Sequence, residues 1–254
     1  MNNSELKPAA LIFGATGGIG SVLARRLATA GWRLALSARS GQRLELLNSE
    51  IDAFTAVAEA TNAKDVENIF NSVCEKFGRL DGVVNCCGSL LLKSAHLTTE
   101  EEWAQTIAAN LTTSFLVLRA SAARMMRSGG GSIVLLSSAV AQRGMINHEA
   151  IAAAKAGVVG LAQSAAATYA RYNIRVNCVA PGLTRTPLAE PITKNEAALK
   201  ASAAMHPLGR IGEPNEVASA IAWLLDPEQK WVTGQVIGVD GGLASIQARP
   251  APSV

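Results

Sequence analysis

A glycine loop, an arginine just past the second apolar run, and a histidine–lysine pair are the residues best placed to do chemistry in this chain. Gly14-Ala-Thr-Gly-Gly18-Ile-Gly20 follows a short apolar run and opens an amphipathic stretch. Glycines at such a junction let the backbone turn tightly and approach phosphate oxygens, and a helix N-terminus presents N–H groups and a favourable dipole to a pyrophosphate. The spacing is G-x-x-x-G-x-G, and its plainest reading is only a tight turn between strand and helix. Ser37-Ala38-Arg39 ends the second apolar run. An acidic residue there would accept hydrogen bonds from adenosine ribose hydroxyls, which Ala38 cannot do. The planar guanidinium of Arg39 suits a 2′-phosphate and can stack on adenine; read plainly, it is a solvated arginine at a helix start. His148 precedes Lys155 by seven residues, two helical turns, which places both on one side if the helix extends that far. An imidazole with an ordinary pKa of about 6.5 can pass a proton at neutral pH. The plain alternative makes His148 a helix-entry residue, with Asn147 as the cap.

The elements that must position these residues alternate. Apolar runs at 9–13, 32–38, 54–58, 82–86, 132–137 and 174–179 are separated by helical stretches that end near Ala30 or span 39–48, 63–77, 100–127 and 149–172. Strands alternating with helices predict βαβ units, hence a parallel sheet covered on both faces. No Pro/Ser-rich linker or internal repeat divides the chain, so one α/β domain over residues 1–254 is expected. The least regular stretch follows the sixth strand. Residues 183–207, with Pro187, Pro191 and Pro207, read as a lid over a site, and the Pro-rich tail from Ala248 to Val254 as loose.

The ordered motifs extend over nearly the whole length. After Gly14 to Gly20 come Asp81-Gly-Val-Val-Asn85-Cys-Cys-Gly88, Asn110 in Ala-Asn-Leu, Ser137-Ser138, Lys155, Arg175-Val-Asn177, Pro181-Gly182-Leu-Thr-Arg-Thr186-Pro187, Thr233-Gly234 and Asp240-Gly241-Gly242. From about Pro8 to Gly242 the sequence resembles the short-chain dehydrogenase/reductase family, and within it the bacterial 3-oxoacyl-acyl-carrier-protein reductase type. The resemblance implies a single doubly wound Rossmann domain with a central parallel sheet of about seven strands, including one at 236–240. It implies cofactor contacts from Gly14, Thr16, Gly18, Ile19, Gly20, Arg39, Glu59, Asn85, Lys155, Pro181, Gly182 and Thr186. NADP(H) is the expected cofactor, although Gly17 stands where many NADP-dependent relatives carry a basic residue.

The resemblance also implies a hydride passing between nicotinamide and a carbonyl carbon, with a tyrosine exchanging the proton on oxygen. A lysine four residues later holds the ribose, a serine orients the substrate oxygen and an asparagine supports a water relay. Asn110, Ser138 and Lys155 match these positions, but Ile151 stands where the tyrosine belongs. Ser138 and Ile151 keep the family separation. Tyr169 and Tyr172, the only tyrosines, fall about 27 Å or more further along the same helix. Losing a positioned general acid costs about a hundred- to ten-thousand-fold in rate. Three readings follow. One is a substitute acid: His148, or more weakly Glu149, since certain enoyl reductases of the superfamily resemble this layout with a tyrosine seven before the lysine. The second is a proton from Lys155, from water, or for a substrate needing little acid. The third is a non-catalytic NADP(H)-binding sensor or partner protein.

Composition supports this frame by exclusion. Hydrophobic residues make up 49% of 254 and charged ones 17%, enough for a large core. The net charge of +3 is spread along the chain and aromatics are only 4%, so neither nucleic acid nor an anionic membrane is implied. No uninterrupted apolar span or signal segment is apparent. The four cysteines include adjacent Cys86 and Cys87 but no CxxC pair, which argues against disulfides and zinc and for a reducing cytoplasm. Cys86 and Cys87 read as small apolar fillers. A small-molecule substrate is expected, and a homotetramer through the helices around 113–126 and 150–169.

Overall fold

A computed structural model describes residues 7–247. Seven parallel strands form one sheet in the order β3-β2-β1-β4-β5-β6-β7. They are β1 (Ala9–Phe13), β2 (Arg33–Ala38), β3 (Ala53–Val57), β4 (Gly82–Asn85), β5 (Gly131–Leu136), β6 (Ile174–Pro181) and β7 (Val236–Val239). The central strands are continuous apolar runs because both sheet faces are covered; all of β1 is buried. On one face Phe70, Val117 and Val158 fill the core; on the other, Leu23, Leu44 and Leu224 do. These come from α3 (Ala63–Phe77), α5 (Thr113–Ser128) and α6 (Glu149–Tyr169), and from α1 (Gly18–Thr29), α2 (Gly41–Asn48) and α9 (Pro214–Leu225) respectively. The strand order reverses between β1 and β4, so a crevice opens beyond their carboxyl ends, where doubly wound folds bind ligands.

Local chemistry sets the helix ends. The Asn62 side chain accepts from the backbone of Lys64 and Asp65 to start α3, and Gly78, with φ of 74°, ends it. Thr99 and Glu102 form a capping box on α4 (Glu100–Ile107). The stretch expected as one helix from Glu100 to Arg127 is broken into α4, a five-residue π segment (Ala108–Thr112) and α5. Residues 183–207 are also more regular than expected. They fold into a 3-10 turn (Pro187–Ala189), α7 (Glu190–Thr193) and α8 (Glu196–Met205), because Pro187 and Pro191 fall at first turns, where a missing N–H costs nothing, and Pro207 lies just past the end of α8. Asn195 caps α8 by accepting from Ala198.

The segment from α6 through Tyr172 is long and apolar enough to cross a membrane by length and composition. Its inner face, including Ala154, Val158 and Ala162, instead packs into the core against the sheet. The expectation of a loose tail at 248–254 lies outside the described residues.

Candidate functional site

The glycine loop joins β1 to α1 with almost no free volume. Gly14 has φ of 70°, and a Cβ on it would lie 2.9 Å from the Cys86 carbonyl carbon. A Cβ on Gly20 would come within 2.3 Å of the Gly14 oxygen, and one on Gly18 within 2.7 Å of Thr186 Cγ2. Gly17 is the N-cap of α1 and offers no side chain, and the first turn holds no acidic residue. The N–H groups at this helix end therefore face the crevice without a competing anion, a ready seat for a pyrophosphate. Thr16 turns its carbonyl to Arg43 Nη2 at 2.7 Å, and Ile19 forms part of the cavity wall.

At the end of β2, Ala38 is buried while Arg39 is exposed. Arg39 has no ion pair or hydrogen bond among the described residues. Glu59, after β3, is half-buried; its backbone N–H donates to Asp65 Oδ2 and its Oε1 accepts from Thr61. Asn85 is buried at the end of β4, where its Nδ2 donates to Thr113 and Ser114 and its Oδ1 accepts from Cys87 N. The Asn85 side chain thus ties α5 to the sheet, and only its backbone is left for a ligand.

The candidate catalytic residues come from three directions. Asn110 sits in the π segment, whose wider turn is a recurrent feature of functional sites. It is fully buried, donating from Nδ2 to Thr106 O at 2.9 Å and Ser89 Oγ at 3.0 Å, and accepting from Ser89 N at 3.2 Å. Ser138 follows β5 in an extended conformation. Its Oγ donates to Pro181 O and accepts from Val140 N, both at 3.4 Å, long contacts that leave the hydroxyl easy to reorient. Neighbouring Ser137 points inward and donates to the Lys155 carbonyl at 2.9 Å, fastening α6 to the sheet.

Lys155 is buried, with Nζ donating to Leu136 O at 2.9 Å. No carboxylate pairs with it among the described residues. Burial pushes its pKa down from 10.5 to about 8. The thiols around it move the other way: burial raises Cys87 to about 12 and raises Cys86 further. Both therefore stay protonated near neutrality, in keeping with their reading as fillers. They pack into opposite cores, Cys87 with the Phe70 side and Cys86 with the Leu23 side. Gly88 is what lets the lysine and Asn110 close on the end of β4. A Cβ there would stand 2.9 Å from Asn110 Oδ1 and 3.5 Å from Lys155 Nζ.

Ile151 is buried in the wall of the same cavity. His148 is half-buried and also lines it. The helix begins at Glu149, so His148 occupies the cap position, with no side chain capping the helix. The expectation that Asn147 is the cap is thus corrected: Asn147 has φ of 61° and swings the chain into the helix instead. His148 Nδ1 lies 2.6 Å from the Ile146 carbonyl; as only a donor satisfies that oxygen, Nδ1 carries the hydrogen and Nε2 is the free ring nitrogen. Glu149 is exposed. Neither Tyr169 nor Tyr172 borders the cavity.

Pro181 and Gly182 form the opposite wall, and Thr186 lies against Gly18. Three participants escaped sequence reasoning. Gly88 was visible only as a motif letter. Arg43 had no signal beyond its place in a polar helix. His206 is buried, with Nδ1 2.7 Å from Ser202 O and Nε2 accepting from Leu183 N at 3.2 Å, so it pins α8 to the chain leaving β6. The cavity these groups enclose measures about 400 Å³. Apart from Asn110, Ser138, Lys155 and the two histidines, its walls are mostly apolar, with Leu90, Leu136, Val140, Leu188, Ile192 and Met205 prominent.

Comparison with known proteins identifies the family of this fold. A family model described as Enoyl-(Acyl carrier protein) reductase matches residues 14–244. The 3-oxoacyl-acyl-carrier-protein reductase FabG of Thermotoga maritima is 37% identical over 240 residues, covering 92% of this chain and 96% of that protein. Levodione reductase of Leifsonia aquatica is 33% identical over 249 residues, covering 91% and 92%. Among solved structures, an actinorhodin polyketide ketoreductase with NADPH superposes with a TM-score of 0.90 at 30% identity, covering 94% of this chain and 98% of the other. By sequence and fold, this chain belongs to the short-chain dehydrogenase/reductase family of oxidoreductases.

Proposed function

We propose that the protein is an NADP(H)-dependent oxidoreductase that moves a hydride between the nicotinamide and a carbonyl or conjugated enone, with His148 taking over the proton transfer that a tyrosine would perform. One observation carries the proposal: a mostly apolar cavity of about 400 Å³ on which Asn110, Ser138, Lys155 and His148 converge, with Ile151 in its wall. The residues present fit the cofactor. The uncapped α1 terminus, a loop with no room for a Cβ on Gly14, Gly18 or Gly20, and Arg39 without a partner among the described residues suit pyrophosphate and 2′-phosphate. When bound, the dinucleotide supplies or accepts the hydride.

The chain's own residues do the rest. Ser138, held only by two 3.4 Å contacts, turns its hydroxyl towards the substrate oxygen. Lys155 would hold the nicotinamide ribose and place a positive charge beside the reacting oxygen. Asn110, locked by Thr106 and Ser89, keeps its carbonyl direction fixed and supports a water path. His148 Nδ1–H is committed to Ile146 O, so a second proton can only be carried and released at Nε2, the nitrogen left free. Thr186, Pro181 and Gly182 would bound the nicotinamide. Residues 183–207 act as the lid, with Leu188, Ile192 and Met205 excluding water from the reacting atoms. The working form is a homotetramer in the cytoplasm, assembled through the α5 and α6 faces, acting on a small molecule.

Ile151 gives the rival reading its footing: a protein that binds NADP(H) without turnover. NADPH consumption by wild type, Ile151→Tyr and His148→Ala, across ketone, 3-oxoacyl and enoyl substrates, separates the two. Turnover by wild type that falls about a hundredfold or more in His148→Ala supports the proposal. A silent wild type beside an active Ile151→Tyr variant would replace it with the non-catalytic reading.

A further inference from the structure

We infer that Arg43 is the second half of the 2′-phosphate site and supplies, from helix α2, the positive charge that the glycine loop lacks at Gly17. The inference rests on the NADP(H) reading above. Arg43 is exposed in the first turn of α2, yet its guanidinium is not adrift: Nη2 donates to the Thr16 carbonyl at 2.7 Å. That bond spans 27 residues of sequence and brings the charge to the rim of the glycine loop. The base of the side chain is fixed as well, because Arg43 N donates to the Ser40 capping oxygen at 3.3 Å. Among the described residues neither Arg43 nor Arg39 meets a carboxylate, and Arg39 makes no hydrogen bond either. Two unneutralised guanidinium groups thus flank the end of β2, where Ala38 leaves no carboxylate to repel a phosphate.

The space fits the same account. Around Gly17 a Cβ would meet only the Gly14 oxygen within 4 Å, so the position where a loop side chain would stand is otherwise open, next to the Thr16 carbonyl that Arg43 reaches. A guanidinium has five donors. One is spent on Thr16, and the remainder can take a dianion with the planar geometry a lysine lacks. Arg39 then covers the adenine side and Arg43 the loop side.

The test uses adenosine 2′,5′-bisphosphate and 5′-AMP as probes, titrated calorimetrically into the full chain, so that no turnover is needed. Wild type is expected to bind the bisphosphate at least tenfold more tightly than 5′-AMP. Arg43→Gln removes the charge and, with its shorter side chain, the reach to the Thr16 carbonyl. It should weaken bisphosphate binding about ten- to a hundredfold, the span of a lost charge-assisted hydrogen bond, and leave 5′-AMP within about twofold. Arg43→Lys should fall between, since one ammonium cannot serve Thr16 and a phosphate in the same geometry. Unchanged bisphosphate binding in Arg43→Gln would overturn the inference while leaving the NADP(H) reading intact. Equal weakening towards both probes would also overturn it, showing that Arg43 only braces the loop. A wild type with no preference for the bisphosphate would remove the NADP(H) reading itself.

Discussion

Replacing Lys155 by methionine should make the ligand-free protein more stable at neutral pH while destroying cofactor binding. The lysine is buried, and burial lowers its pKa from 10.5 to about 8. Between those values the unfolded chain binds more protons than the folded one, so folding stability rises with pH across that window. Below about pH 8 the folded protein carries a buried cation at a cost of about 3 kcal/mol, from 1.36 kcal/mol per pH unit. Methionine removes that cost but also the Nζ bond to the Leu136 carbonyl, whose loss offsets about 1–2 kcal/mol. The variant should therefore be about 1–2 kcal/mol more stable at pH 6.5, a rise in Tm of a few degrees for a chain of this size. By pH 10.5 the advantage should vanish or reverse. Urea unfolding of both proteins without cofactor, followed by tryptophan fluorescence at pH 6.5, 8 and 10.5, reads the difference directly. A stability difference that does not change with pH would refute the argument, because it would mean that Lys155 already finds a compensating anion or water in the folded state.

Other substitutions probe the loop, the π segment and the proton donor. Gly20→Ala places a Cβ 2.3 Å from the Gly14 oxygen, where no flexible side chain can yield. It should cost more than about 1–3 kcal/mol, seen as a marked fall in Tm. Asn110→Ala strands Ser89 N and Ser89 Oγ and should lower stability by about 1–3 kcal/mol, with a larger fractional loss in kcat than in KM if the π segment orders the relay. With His148 delivering the proton as proposed, Ile151→Tyr should change ketone turnover by less than about tenfold, against the roughly hundred- to ten-thousand-fold that a general acid contributes where none is present. A gain of about a hundredfold or more would mean that the wild type lacks a working proton donor, contrary to the proposal.

The sheet was legible from sequence because parallel strands buried on both faces leave unbroken apolar runs; Ala9–Phe13 and Ser132–Leu136 are read directly. The break in the helix at Ala108–Thr112 was not, since nothing in Ala-Ala-Asn-Leu-Thr lowers helix propensity enough to announce a π turn. It becomes necessary only once Asn110 is held by Ser89, 21 residues earlier in the chain. The helices within 183–207 are masked in the sequence by prolines, which read as breakers until Pro187 and Pro191 are placed at first turns and Pro207 just past a helix end. Arg43 and His206 act through bonds to Thr16 and Leu183, contacts between elements that no local pattern encodes. Gly88 was legible as a glycine but not as the clearance between Asn110 and Lys155.

The substitution at position 151 is better understood from what surrounds it than as a lost residue. A site released from chemistry has no use for a buried lysine with no carboxylate beside it among the described residues, which lowers neutral-pH stability, nor for a fully buried asparagine in a widened helical turn. Ligand binding alone gives Lys155 a reason to persist, through the ribose it would hold. It gives none to Ser138, whose hydroxyl is fastened by nothing shorter than 3.4 Å and faces the cavity. A loosely held hydroxyl beside a lysine, under an apolar lid, is suited to an oxygen that gains charge during reaction. On the proposed mechanism, the isoleucine then defines what the substrate must tolerate: a proton delivered from the His148 rim rather than from the Ile151 wall, and an aliphatic surface where a phenol would have stood.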